Sequence, residues 1–212
     1  MIVSDKAISN AIMKCLEIGK PRKFKQTIEL IITLSGLDLK SPEAKLRETL
    51  YLPKGLGKSR NVCVIADGDM LLEARKLGLN VYSREDIQAL DKKNAKKLAD
   101  KCDWVLVKAD LMGVVGKILG PALGPRGKAP IPIPPNISLS SVVNRYSKSI
   151  WVRIRNQLQI ACPIGVEDMS LEDLTENAKA VLSLVESKLG AQKIKNIYVK
   201  KTMSPPVSIS LR

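Results

Sequence analysis

Residues 61–109 read "NVCVIADGDMLLEARKLGLNVYSREDIQALDKKNAKKLADKCDWVLVKA". Short apolar runs alternate here with longer amphipathic ones. "NVCVIA", "NVYS" and "DWVLVKA" have the composition of strands, and "DMLLEARKLG" and "REDIQALDKKNAKKLADKC" have helical spacing. Apolar strands separated by helices specify a parallel sheet covered on both faces. The basic run 91–101 is the solvated face of its helix. Beyond it, "LMGVVGKILGPALGPRGKAPIPIPP" begins as a helix and dissolves into Gly and Pro, and "LSSVVNRYSKS" supplies a last helix.

Outward from this block the rhythm changes. Residues 4–19 place Ala7, Ile8, Ala11, Ile12, Cys15 and Leu16 on one helical face, with Ser4 to cap the start and Gly19 to close the end. "KFKQTIELIITL" (23–34) and "RETLYLP" read as strands. After residue 148 come "SIWVRIRN" and "QLQIACPIG". A long helix opens at Ser170, whose spacing to Asp173 fits a capping box, and closes at Gly190; "NIYVKKTM" and "VSISL" follow. Each flank is thin as an independent core, but together they make one sheet with two covering helices. The expected fold class is therefore α/β with two domains. Residues 1–55 and 149–212 form a discontinuous α/β sandwich, and 56–148 an inserted Rossmann-like three-layer α/β/α domain. Both crossings, "KGLGKSR" and "RYSKS", look like exposed turns that tolerate insertion. Gly55, Gly57 and Lys148 are the expected hinge, about which the insert would move.

"PKGLGKSR" (53–60) imitates the end of a phosphate-binding P-loop. The first glycine of that motif should fall at Leu52, Pro53 lies inside the loop, and "RNVCVIA" after it is a strand, so no helix N-terminus is available for phosphates. Asp67-Gly68-Asp69 could hold magnesium, but a helix cap explains it as well. With no histidine in the chain, Ser-His and Cys-His nucleophiles are excluded. The four cysteines are scattered, without the paired spacing of a zinc site, and read as small buried hydrophobes. No cofactor and no metal are expected, and the chain is expected not to be an enzyme. A nucleotide-dependent enzyme built on the inserted sheet, or a general nucleic-acid binder, are the alternatives.

Lys and Arg number 35 against 21 acidic residues, giving a net charge of +14. Half of that charge falls on each domain. Such a balance is the footprint of nucleic-acid binding. Aromatic content of 3% is too low for stacking platforms, so the partner should be structured and read by backbone and shape. No apolar run approaches the ~20 residues of a membrane span, and "MIVSDKAISN" lacks a signal peptide's order, so a cytoplasmic protein with no membrane association is expected.

Four stretches in order, "RKFKQTIEL", "LPKGLGK", "LMGVVGKILGPALGPRGKAP" and "IYVKKTMSPPV", carry a resemblance that covers essentially the whole chain. The chain resembles the universal large-subunit ribosomal protein of the lateral stalk, the family called L one, in wording more archaeal than bacterial. The resemblance implies binding to large-subunit rRNA beside the exit site, where deacylated tRNA leaves, on the ribosome in the cytoplasm. It also implies repression of translation through the protein's own mRNA, and a monomer when free. It places the principal RNA site on Phe24, Thr27, Glu29, Thr202 and Met203, with Ser204 where the family usually has glycine. Lys23, Lys25, Lys200 and Lys201 would contact phosphates and set register. If one face of the first strand meets RNA, Thr27 and Glu29 could accept from ribose 2′-hydroxyls. Arg126 and Lys128 are the candidates for a second RNA contact on the insert.

Overall fold

Strand β1 (Thr27–Leu34) buries every second side chain, Ile28, Leu30, Ile32 and Leu34, and leaves Thr27, Glu29, Ile31 and Thr33 half-exposed. That period of two is the signature of a strand with one face on a core. The computed structural model describes residues 2–134 and 137–211. The chain divides into two compact units, Met1–Lys58 with Lys148–Arg212 (the terminal unit) and Ser59–Ser147 (the inserted unit).

In the terminal unit β1 is flanked on both sides by antiparallel partners, β8 (Gln159–Val166) and β9 (Ile194–Lys201). Strand β10 (Val207–Ile209) completes the order β10-β9-β1-β8. One face of the sheet packs against α1 (Asp5–Glu17) and α7 (Leu171–Leu189). Ile8 and Ile12 of α1 and Val181, Leu182 and Val185 of α7 share its core with Leu30, Ile32, Ile197 and Val199. The Ser4 hydroxyl accepts from the Ala7 amide at 3.2 Å, and the Ser170 hydroxyl from that of Asp173 at 3.1 Å, so both helices start on serine caps. Gly190 ends α7 with φ +84°, a conformation that favours glycine.

Two expectations for this unit need correction. β1 starts at Thr27 rather than residue 23, because Gln26 is tied sideways to Glu167 instead of entering a ladder. Its amide and its side-chain amide donate to the two Glu167 carboxylate oxygens at 2.9 and 3.2 Å. The strands do not form one sheet, since β2 (Arg47–Tyr51) and β7 (Ser149–Arg153) pair as a separate ribbon, tied to β8 by the single bridge Ile154↔Ile160. Gly19, with φ +108°, directly follows the cap residue Ile18 and stands where a helix-closing glycine is expected.

The inserted unit is a parallel sheet in the order β4-β3-β5-β6: Asn80–Tyr82, Val62–Ile65, Trp104–Lys108 and Ile131–Ile133. Helices α2 (Gly68–Lys76) and α6 (Leu139–Ser147) pack together; α3 (Arg84–Gln88) and α4 (Lys92–Lys101) pack on α5 (Met112–Arg126). The chain between the second and third strands is broken into two helices, because the Asp91 carboxylate caps a new one by accepting from the Asn94 amide at 2.7 Å. Helix α5 does not dissolve. It runs through Pro121 and Pro125 to Gly127, since Leu111, Val115, Leu119, Ala122 and Leu123 form a buried stripe at helical spacing. The fourth strand β6 follows; Pro135, at the end of that Gly/Pro stretch, lies outside the described residues. Asp67 occupies the cap position of α2 without a side-chain cap bond, because its carboxylate accepts from the Lys108 ammonium. Among the described residues no helix is long and apolar enough to cross a membrane.

Cys15 and Cys162 are free and buried, but Cys63 and Cys102 form a disulfide. Sequence reasoning missed it because 39 residues separate the two thiols, which meet when β3 and β5 pair. Closing a loop of that length stabilises by about 4 kcal/mol in the chain-entropy account. Unfolding of the inserted unit, followed by denaturant titration, should weaken by about that amount with Cys63→Ala/Cys102→Ala or with reductant.

Burial pushes the Cys162 thiol up to about 12 from an ordinary 9.0, with Glu29 adding to the shift. The folded state holds this proton more tightly, so its stability is complete below pH 9 and drains as pH climbs toward 12. Relative to Cys162→Ala, the wild type should lose about 1.4 kcal/mol per pH unit across that window, measured by denaturant unfolding at fixed pH.

Candidate nucleic-acid interface

The two chain ends meet where β1 begins and β9 ends. In their ladder Ile28 faces Lys201 and Glu29 faces Lys200. Just beyond it the Thr202 amide donates to the Thr27 carbonyl at 3.0 Å. The Thr27 amide in turn donates to the Thr202 hydroxyl at 3.2 Å. The Met203 amide donates to the Gln26 side-chain carbonyl at 3.1 Å. The turn 202–206 is thereby fixed to β1 by hydrogen bonds that span 175 residues of sequence.

This scaffold displays two large apolar side chains to solvent, Phe24 at 52% and Met203 at 56% exposure. Core packing, the competing reading of Phe24, is excluded by that exposure. Gln26 takes the buried place instead, at 1%. Around the two apolar groups stand Thr27 and Glu29, both half-exposed, and the exposed Lys23 and Lys25. Lys25 pairs with Asp168 at 2.6 Å, and that hydrogen bond raises its pKa. The Lys200 ammonium donates to the Thr202 carbonyl at 3.3 Å.

Two candidates are turned inward. Lys201 is 5% exposed, and its ammonium donates at 2.9 Å to the Leu16 carbonyl at the C-terminal end of α1, where a cation is favoured. It fastens α1 to the sheet and cannot reach a phosphate from there. Ser204 is 8% exposed, with its hydroxyl accepting from the Lys201 amide at 2.9 Å. Its Cβ points toward Gly19 rather than outward, so this side chain leaves the surface clear.

Lys58 lies in the crossing "KGLGKSR", which the sequence presents as an exposed turn. Its ammonium donates to the Thr27 hydroxyl at 3.0 Å, placing a cation in the middle of the cluster. Asp168 and Glu167 join through Lys25 and Gln26. All three lie far from residue 27 in sequence, and no local pattern pointed to them.

The P-loop resemblance ends here as well. β3, a strand, follows Ser59, and Gly57 is packed so tightly that a Cβ would meet Val166 at 2.7 Å and Met169 at 2.8 Å. Gly55 and Gly57 both have positive φ, near +65° and +69°. The buried Asn177 grips the loop, accepting from the Lys54 amide at 3.1 Å and donating to the Gly55 and Ile164 carbonyls at 2.7 and 2.8 Å. Lys148 is held in the same turn, its carbonyl accepting from the Leu52 amide at 3.0 Å. Gly55, Gly57 and Lys148, the residues of the expected hinge, lie together in this turn of the terminal unit.

In the inserted unit Arg126 and Lys128 are likewise engaged. Arg126 grips the Asp100 carboxylate through two nitrogens, one at 2.9 Å, and holds that carboxyl below its ordinary pKa. The Lys128 ammonium donates to the Ala99 and Cys102 carbonyls at 2.9 and 2.7 Å, closing the C-terminal end of α4.

The model of the ribosomal protein L1p/L10e family matches residues 16–205. The chain belongs to that family. A large ribosomal subunit protein uL1 from Aeropyrum pernix is 54% identical over 96% of this chain and 94% of the relative. Those from Staphylothermus marinus and Hyperthermus butylicus are 50% and 44% identical, over 97% and 99% of both chains. The family is one of structural ribosomal proteins rather than enzymes, and the relatives are archaeal, in line with the resemblance read from the four signature stretches.

Asn177→Ala would strand the Lys54 amide and two carbonyls around a fully buried position. Unsatisfied buried groups of this kind cost about 1–3 kcal/mol, and denaturant unfolding of the terminal unit should register a loss of that size.

Proposed function

We propose that this chain is a structural protein of the large ribosomal subunit that anchors to a folded segment of its rRNA through the terminal unit. The observation that carries this reading is the joining of residues 23–29 to 200–204 into one rigid surface, on which Phe24 and Met203 stand exposed among lysines. Preorganised surfaces of this kind avoid the ordering cost that a flexible tail would meet on binding. Thr27, Glu29 and Thr202 offer oxygens to ribose hydroxyls, while Lys23, Lys25, Lys58 and Lys200 face the phosphates. Glu29 is out of place against phosphate alone and gains a role only where a donor such as a 2′-hydroxyl meets it. Arg126 and Lys128 are assigned to packing of the inserted unit, not to RNA.

The RNA is the rRNA stalk near the tRNA exit site. There the protein, a monomer when free, assists the departure of deacylated tRNA, and it represses translation of its own mRNA by binding a similar structure. The relatives' names, all of them large ribosomal subunit proteins, support placement on the cytoplasmic ribosome. Competition between an rRNA stalk fragment and DNA of the same length should show strong preference for RNA. Met203→Ala, at an exposed position that leaves the fold intact, should cost about 1–3 kcal/mol of RNA affinity. Equal affinity for both nucleic acids, or an unchanged Met203→Ala, would contradict the assignment.

A further inference from the structure

The ribbon of β2 and β7 collects positive charge on its two strands. Arg47 and Arg153 are direct cross-strand partners, an arrangement of like charges that weakens a sheet. Arg155, exposed, follows two residues beyond Arg153, past the end of the strand. The groups that perturb Arg153 show how concentrated the charge is. Its pKa is lowered by burial first, and then by repulsion from Arg155 and Arg47. The Arg47 guanidinium lies over the Trp151 ring, 4.9 Å from its centre.

The side on which these residues stand follows from the register. Ile154 and Ile160, joined by the one bridge between β7 and β8, are both buried, as are Ile150 and Val152. Alternation then puts Trp151 and Arg153, both half-buried, on the opposite side, together with the exposed Gln159 and Ala161 of β8. Gln159 and Ala161 pair with Thr33 and Ile31, which share their face of β1 with Thr27 and Glu29. The arginines therefore continue the same open face that begins at the proposed RNA site. They lie beyond its other end, about 20 Å away at ~3.3 Å per residue along β1.

We propose that the outer face of the β2–β7 ribbon, through Arg47, Arg153 and Arg155, is a second phosphate-binding surface that grips the backbone of the same RNA. The proposal rests on the reading that the terminal unit binds RNA. Guanidinium groups suit the task, because their planar forks match phosphate oxygens and hold charge at any working pH. The two ends divide the labour. The Thr27–Met203 end recognises sugars and shape, and the arginine end adds salt-sensitive affinity and fixes the direction in which the RNA leaves the site.

The test uses the full chain, an rRNA stalk fragment, and Arg47→Gln/Arg155→Gln, both at exposed positions, with circular dichroism and melting to confirm an intact fold. The affinity of the variant should fall. Its plot of log affinity against log salt should flatten by about two units, one per phosphate contact removed, while preference for RNA over DNA persists. Met203→Ala should show the reverse, a loss of RNA preference at unchanged slope. An intact Arg47→Gln/Arg155→Gln protein with the wild-type slope overturns this proposal and leaves the first site standing. A wild type without preference for RNA contradicts the first site, and the slope difference still decides the second.

Discussion

Strand β1 can form its hydrogen bonds only after both chain ends have arrived. One edge pairs with β8 and the other with β9, and the contacts that finish it, between Thr27 and Thr202, close a loop of 175 residues. A closure that long is entropically costly, and a compact inserted unit shortens the effective chain to be brought together. The same pairing builds the proposed RNA surface, so the unit cannot be folded without presenting it. Fold stability and recognition therefore depend on one ladder, and Lys201, buried between that ladder and the end of α1, shows how little of the local charge is available to a ligand.

Net charge alone is a poor guide to where a polyanion would bind. Arg126, Lys128 and Lys201 are cations by sequence but helix-end clamps or carboxylate partners in the structure, and Lys108 holds Asp67. The lysines of the open face, Lys25 beside Asp168 and Lys58 on the Thr27 hydroxyl, stand among neutral oxygens and two exposed apolar side chains. Such a mixture suits a folded RNA, whose ribose edges offer donors that duplex DNA lacks.

Much of the fold was legible because period and capping agreed. The period of two in "TIELIITL", the serine caps at Ser4 and Ser170, and the strand–helix alternation after residue 61 each use local chemistry, and each element formed close to where it was read. What failed was settled by tertiary contact. Helix α5 survives two prolines because a buried stripe outweighs their cost. β1 starts late because Gln26 prefers Glu167, 141 residues away. Cys63 meets Cys102 through strand pairing that no spacing rule reports. At the candidate site the residues on the two ends were visible as motifs. Lys58, Asp168 and the clamp by Asn177 were not, since each acts across a gap in sequence.

Hydrogen–deuterium exchange of the full chain, with and without an rRNA stalk fragment, tests most directly whether the two ends act as one surface. The account predicts that RNA slows exchange together in residues 23–29, around Lys58 and in 200–204, with the amides of α5 unaffected. Slowing confined to one of the two terminal segments, or centred on the inserted unit, would contradict it.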